Sequence, residues 1–252
     1  MKSFSSEQVA KANKEFYNAV YNSYLQDEAY AYTDDIVTDV RRLLSLGASQ
    51  SDSRDCFFDV ACGSGFLSSH VIDMQLFASC HGVDISENQI KLYNERLHKK
   101  GGEGVVGDLA TMDFGAKRFG MVAGYSVLHH FYDYSQILRR CWDILTPGGC
   151  MYFDFEPNAN FKKTFNSLIR VRRMLSRQSQ KLDSLEEVAE YHNNYSLGIA
   201  KDGLFDLFEG NFEIIEEGAR FPGTTAGTIL RLASKINPVF SPLFYFLIKK
   251  KK

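Results

Sequence analysis

The stretch Phe57-Phe58-Asp59-Val60-Ala61-Cys62-Gly63-Ser64-Gly65-Phe66 joins an apolar run to a Gly-x-Gly turn and then to an amphipathic segment. Glycine lacks Cβ, so Gly63 and Gly65 can take positive φ and let a ligand touch the backbone, while the helix that follows offers unpaired N–H groups. A dinucleotide fingerprint wants a third glycine three positions on, where Ser68 stands, so nicotinamide or flavin binding loses ground. Asp84 closes the apolar run Cys80-His81-Gly82-Val83 just before Ile85, at the spacing at which such folds hold a ribose, and a carboxylate there can accept both hydroxyls. Asp108 follows Gly104-Val105-Val106-Gly107 and suits an adenine contact. Each residue has a plainer reading: an ordinary strand-to-helix turn, a helix N-cap beside Ser86, a loop aspartate bonding its own backbone. The ordered set, and no single member of it, favours a small-molecule site.

The elements that position these residues follow from periodicity. Residues 6 to 47 read as two helices, with Gly47 as a C-cap. Apolar strands then alternate with amphipathic helices: strand 56–61, helix 66–77, strand 80–84, helix 87–98, strands 103–107 and 119–125, helix 134–145 and strand 149–155. Such alternation predicts a doubly wound parallel sheet, which binds ligands at the carboxyl ends of its strands. Residues 158–202 interrupt the pattern with a long helical stretch, and two strands are expected near 212–218 and 226–233.

Asp59-Val-Ala-Cys-Gly-Ser-Gly65, Val83-Asp84, Gly107-Asp108 and Leu145-Thr-Pro-Gly-Gly149 resemble, in order, the motifs of class I S-adenosylmethionine-dependent methyltransferases. Ser126-Val-Leu-His-His130 and Phe155-Glu-Pro-Asn158 resemble the group acting on quinones, sterols, sugars and natural products. The resemblance covers residues 54 to 156 well, 203 to 233 loosely and the two ends poorly. It implies an α/β, Rossmann-like sheet, mostly parallel with an antiparallel last strand. It also implies S-adenosylmethionine as cofactor, held by Asp59, Ala61, Gly63, Gly65, Asp84, Ile85, Asp108, Leu109 and Tyr125. The corresponding division of the chain is an N-terminal helical lid (1–53), the cofactor-binding core (54–157), a cap insertion (158–202), closing strands (203–236) and an apolar, basic tail (237–252).

Methyl transfer asks mainly for positioning, because the sulfonium carries an activated methyl group. A base is required where the acceptor is a hydroxyl or an acidic C–H. His129 and His130 are the first candidates, since they follow strand 119–125 and histidine titrates near neutral pH. The plainer alternative packs one beside the cofactor and lets the other cap the next helix. Asp154, Glu156 and Asn158 alternate along a strand and are expected to share a face, which makes Glu156 a second base candidate. A catechol-type metal site would need carboxylates where Tyr125 and Ser126 stand, so no metal is expected. Phe16, Tyr17, Tyr21, Tyr24, Tyr30 and Tyr32 are either a lid over the cofactor or helix packing.

Bulk properties narrow the acceptor. Net charge is −2 over 252 residues, with basic residues dispersed, so nucleic-acid binding is not expected and a small-molecule acceptor is. Five cysteines without a Cys-x-x-Cys pair read as reduced core residues. The N-terminus has no signal-peptide pattern, which predicts a cytoplasmic protein. A cap helix with Phe161, Phe165, Leu168, Ile169 and Leu175 on one side and Lys162, Lys163, Arg170, Arg173 and Arg177 elsewhere reads as a solvated cap, a grip on an anionic acceptor, or a membrane-surface helix. The run Pro238 to Ile248 ahead of four lysines is too short to span a bilayer. It reads either as a peripheral contact with the inner membrane face or as packing against the domain or a second subunit of a homodimer. Oxygen is the favoured methylated atom, with nitrogen or carbon on a lipid-like or isoprenoid acceptor as the alternative. The rival classes are a non-catalytic partner subunit that keeps the fold, a nicotinamide oxidoreductase, and a nucleic-acid or protein methyltransferase, for which the Asn/Asp-Pro-Pro-aromatic signature is missing.

Overall fold

The computed structural model describes residues 4–20, 32–165, 183–194 and 198–252. Seven strands form one sheet in the order β3-β2-β1-β4-β5-β7-β6. They are β1 (Cys56–Val60), β2 (Ser79–Asp84), β3 (Gly102–Val106), β4 (Phe119–Tyr125), β5 (Leu145–Pro157), β6 (Phe212–Arg220) and β7 (Leu243–Lys250). The first five pair in parallel, and β7 runs antiparallel to both β5 and β6. β1 and β4 are buried on nearly every residue, as strands covered on both faces must be. One side packs against α2 (Asp34–Gln50) and α3 (Phe66–Asp73). The other packs against α5 (Tyr134–Ile144), with α4 (Glu87–Leu97) beside β2 and β3. α1 (Ser6–Val20) lies over the carboxyl ends of the strands, against α4 and against α6 (Asp183–Ala189). A one-turn helix, α7 (Tyr191–Asn194), follows α6.

The sequence reading is corrected at four places. Gly47 lies inside α2, where an added Cβ would sit 2.6 Å from Met121 Cε, so it serves close packing of helix on sheet and the helix runs on to Gln50. Residues 226–233 are not a strand: they belong to the helix α8 (Thr225–Ser234), whose N-cap Thr224 accepts the Gly227 N–H. Residues 237–252, read as a tail that either meets a membrane or packs, take the packing alternative within the domain itself. β7 inserts between β5 and β6, and its Phe246, Leu247 and Ile248 are fully buried, so the apolar run is interior sheet and is not available to dip into a lipid leaflet.

The fourth correction concerns the rim of β5. Phe155 takes φ +63° and the β5–β7 register shifts there, so the expected alternation of Asp154 and Glu156 on one face is broken by a bulge. Asp154 and Phe155 turn to the α2 side, where Arg220 donates from Nε to Asp154 Oδ1 at 2.8 Å and from Nη2 to Oδ2 at 2.6 Å. Glu156 turns to the opposite side. Asp154 is thereby a structural carboxylate that ties β5 to β6.

Candidate active site

A cavity of about 480 Å³ opens at the carboxyl ends of β1, β2 and β4, beneath α1. That lies in the range of small-molecule pockets, about 300–1,000 Å³. Its floor is the glycine turn. Ala61 and Gly63 take φ of +46° and +51°, turning the backbone outward after β1. A Cβ added at Gly63 would meet nothing closer than Gln89 Oε1 at 3.9 Å, so the bare peptide faces open space. Gly65 is different. It caps α3 at φ +89°, and its missing Cβ makes room for Leu97 Cδ1 at 2.5 Å and Tyr93 Cδ2 at 2.9 Å. Gly65 therefore shapes the turn from behind and is not on the cavity wall.

The carboxylates sit where the strands end. Asp84 Oδ2 accepts the Gly63 N–H at 2.9 Å and Oδ1 accepts the Ser86 N–H at 2.9 Å, so Asp84 braces the turn while lining the cavity. Burial raises its pKa against the pull of the Ser86, Gly63 and Ile85 N–H groups. Asp59 is pushed up to about 7 by burial, against hydrogen bonds from Ser68 N–H at 3.0 Å and Ser68 O–H at 2.7 Å. Tyr93 donates to Ser68 Oγ at 3.0 Å and completes a buried chain that fixes the start of α3. Ser68, which departs from the dinucleotide fingerprint, is what Asp59 binds. Asp108 Oδ1 accepts the Ala110 N–H at 2.9 Å within its own loop, and Asp108, Leu109 and Ile85 all line the cavity.

Aromatic rings form another wall: Tyr125 stacks on Tyr32 with ring centroids 5.8 Å apart and lies 4.9 Å from Phe66. α1 supplies Asn13 and Tyr17. Asn13 donates to the Val9 and His130 carbonyls at 2.9 and 3.0 Å, while its Oδ1 is buried without a hydrogen-bond partner. An orphaned acceptor in a polar pocket is a place for a ligand N–H or O–H. Asn18 anchors the end of α1 beside Asp84, accepting from Ser86 Oγ at 2.7 Å and donating to Glu87 Oε2 at 2.9 Å. Sequence periodicity marks α1 as amphipathic but cannot separate Asn13 or Tyr17 from packing residues. Of the tyrosines named from sequence, Tyr17 and Tyr32 reach the cavity, whereas Tyr21, Tyr24 and Tyr30 lie outside the described residues, as do Leu168, Ile169, Leu175, Arg170, Arg173 and Arg177 of the cap.

The three candidate catalytic residues meet but play different parts. His130 lines the cavity; His129 and Glu156 do not. Glu156 is fully buried, its Oε1 accepting the Val127 and Leu128 N–H groups at 2.8 and 2.9 Å and its Oε2 facing His129 Nδ1 at 2.9 Å. No oxygen of it points at an acceptor, so Glu156 orients His129 and the turn after β4. His129 is raised, because Glu190 and Glu156 outweigh the effect of burial, while burial and then His129 itself lower His130. His130 Nδ1 lies 3.1 Å from the Ala189 carbonyl and Nε2 lies 3.1 Å from Tyr17 Oη. Since a carbonyl only accepts, Nδ1 carries the proton and the Nε2 lone pair receives the Tyr17 O–H.

Comparison with known proteins shows what this arrangement is similar to. The methyltransferase-domain family matches residues 58–153, from β1 to the middle of β5. By that match residues 58–153 resemble a methyltransferase domain. The chain is similar to the mitochondrial ubiquinone biosynthesis O-methyltransferase of Saccharomyces cerevisiae, 24% identical over 147 residues, 55% of this chain and 47% of the relative. It is also similar to the phthiotriol/phenolphthiotriol dimycocerosates methyltransferase of Mycobacterium tuberculosis, 30% identical over 101 residues, 40% of this chain and 37% of the relative. The chain thus spans half or less of the length of these curated relatives. Among solved structures, the plantazolicin methyltransferase BpumL with S-adenosylhomocysteine superposes with TM-score 0.59, at 11% identity over 98% of this chain and 97% of that one. The magnesium protoporphyrin IX methyltransferase of Synechocystis PCC 6803, also with S-adenosylhomocysteine, gives 0.60 at 13% identity over 94% and 98%. At such identities these neighbours establish the fold alone: a Rossmann-like sheet with its last strand antiparallel. Among the described residues, no helix is long and apolar enough to cross a membrane.

Proposed function

We propose that this protein transfers a methyl group from S-adenosylmethionine to a hydroxyl of a small organic acceptor and releases S-adenosylhomocysteine. The observation that carries the reading is the opposition, across one cavity, of the bare Gly63 turn braced by Asp84 and the His130–Tyr17 pair. The residues fit the cofactor: an unfilled cradle at Gly63, a carboxylate at each of three strand ends, and the orphaned Asn13 Oδ1. When bound, the cofactor supplies a methyl group already activated on sulfur.

The chain's own residues do the rest. Asp84 still has lone pairs free for ribose hydroxyls after accepting its two N–H groups. Asp108 faces the next part of the nucleoside, and Asp59 the amino-acid end. α1 acts as a lid that keeps water from the reacting atoms. Neutral His130, with Nδ1–H held by Ala189, takes the acceptor's proton on Nε2, directly or through Tyr17 Oη. Its lowered pKa keeps it unprotonated near pH 7. His129 and Glu156 position it. Residues 158–202, of which 166–182 and 195–197 lie outside the described residues, are assigned to the cap, and the Tyr32, Phe66 and Tyr125 rings favour a planar or lipid-like molecule.

Isothermal titration with S-adenosylhomocysteine tests the core of this. Saturable one-to-one heat is expected, and replacing Asp84 by Ala should weaken binding by about tenfold or more through lost charged hydrogen bonds. A folded sample that gives no heat sinks the cofactor assignment, and an unchanged affinity removes Asp84 from the site.

A further inference from the structure

Behind the Tyr17 side of the cavity, three side chains from two separate elements converge. His129 and His130 lie on the single 3-10 turn after β4, and Glu190 lies between α6 and α7, sixty residues on. Their ligand atoms all fall within 4.8 Å of one another. His129 Nε2 is 3.5 Å from Glu190 Oε2, and His130 Nδ1 is 3.8 Å from Glu190 Oε1. Donors held by one tetrahedral ion at about 2.0–2.1 Å lie roughly 3.4 Å apart. Small side-chain adjustments close the difference.

The surroundings point the same way. Glu156 Oε2 accepts the Nδ1 proton of His129 at 2.9 Å, which aims Nε2 at the Glu190 carboxylate. An imidazole nitrogen and a carboxylate oxygen at that distance, the first buried and the second half-buried, are held together by a positive particle between them, a proton or a metal ion. A carboxylate behind the far nitrogen of a histidine is also how metal-bound histidines are held. Here that carboxylate is itself locked by the Val127 and Leu128 N–H groups, and the second histidine is held at its far nitrogen by Tyr17.

We propose that His129, His130 and Glu190 form a binding site for a first-row divalent cation of the zinc class. Two imidazoles and one carboxylate suit zinc, cobalt or iron better than magnesium or calcium, whose ligands are oxygens. Three protein ligands leave a fourth position for water. Binding displaces the proton between His129 and Glu190 and moves the remaining His130 proton to Nε2, toward Tyr17. Lys162 adds positive charge near His129, so affinity depends on Glu190 and Glu156 together. The ion would fasten the cap to the turn after β4. It would also occupy His130 in the tautomer that cannot accept a proton, so loading restrains transfer to a hydroxyl. Only this last consequence rests on the function proposed above; the site itself does not.

The test is titration of chelator-treated full-length protein with Co²⁺, read by the visible d–d absorption of tetrahedral cobalt and competed with Zn²⁺. Circular dichroism serves as the check of folding, independent of cofactor binding. One equivalent of Co²⁺, displaced by Zn²⁺, is expected. Glu190→Gln and His129→Gln should abolish the band, and Glu156→Gln should weaken binding by about 10–100-fold. A folded wild-type protein without the band, or a Glu190→Gln variant that binds as well, overturns the proposal. Failure of S-adenosylhomocysteine to bind would leave the cobalt result standing and strike only the function.

Discussion

Asp59 gives the molecule a measurable dependence of stability on pH. Its carboxyl is 2% exposed and bonded by Ser68 alone among side chains, and burial pushes it from the ordinary 3.8 to about 7. A raised folded value means that the native chain holds the proton more tightly than the unfolded chain. The resulting stabilisation is complete below about pH 4 and is lost progressively as pH climbs through about 7. At about 1.4 kcal/mol per unit, the loss between pH 5 and pH 8 comes to about 2–3 kcal/mol. Replacing Asp59 by Asn keeps an acceptor for Ser68 and removes the titration. Urea unfolding of both chains at pH 5 and pH 8, at constant ionic strength, isolates the effect, because the shifts of Asp84, His129 and His130 are common to the two. The wild type should lose about 2–3 kcal/mol more than the variant over that interval. Parallel pH slopes would refute the reasoning, since they would mean that Asp59 is ionised throughout and its surroundings are not dry.

Three substitutions probe the framework. Gly65→Ala combines a left-handed φ with contacts at 2.5 and 2.9 Å to Leu97 and Tyr93, and should cost about 2–4 kcal/mol in chemical denaturation. A cost below 1 kcal/mol would show that α4 yields easily. Gly63→Ala carries the strain of φ +51° without a collision, about 1–2 kcal/mol, yet should abolish S-adenosylhomocysteine binding by filling the cradle. Retained affinity would place the ligand elsewhere. Arg220→Met strands Asp154 in the interior and should cost about 3–5 kcal/mol, partly recovered when Asp154 is also changed to Asn. Equal instability of the single and double variants would show that the pair's charge is not what matters.

The sheet from β1 to β5 was legible because β1, β4 and β5 are buried on both faces and so appear as apolar runs, with the shorter β2 and the exposed edge β3 marked by the helical periods between them. Past β5 that signal misleads. Thr225 to Ser234 contains the β-branched Thr225, Thr228 and Ile229 and reads as a strand, but the Thr224 cap starts a helix there. The run Leu243 to Ile248 reads as a tail, and nothing local says that it fills a gap in a sheet. In the site, the Gly63 turn, Asp84 and Asp108 announced themselves by spacing. The bulge at Phe155, which parts Asp154 from Glu156, depends on the register with β7 and has no local mark. Asn13 and Tyr17 gain their roles only when α1 folds over the strand ends. Glu190 meets His129 through chain folding alone, so no ligand spacing could reveal the cluster.

The position of β7 has a consequence for how the chain assembles. β6 is made before β7, yet β6 touches the sheet only through it. A nascent chain that has emerged as far as Arg220 therefore holds a strand with nowhere to dock, and β5 presents a bare edge to its neighbours. The Arg220 guanidinium cannot reach Asp154 until that slot is filled from the other side. Vectorial synthesis should thus populate a half-sheet that is sticky and waiting, with the final insertion as the late, long-range closing event and the natural point of chaperone engagement.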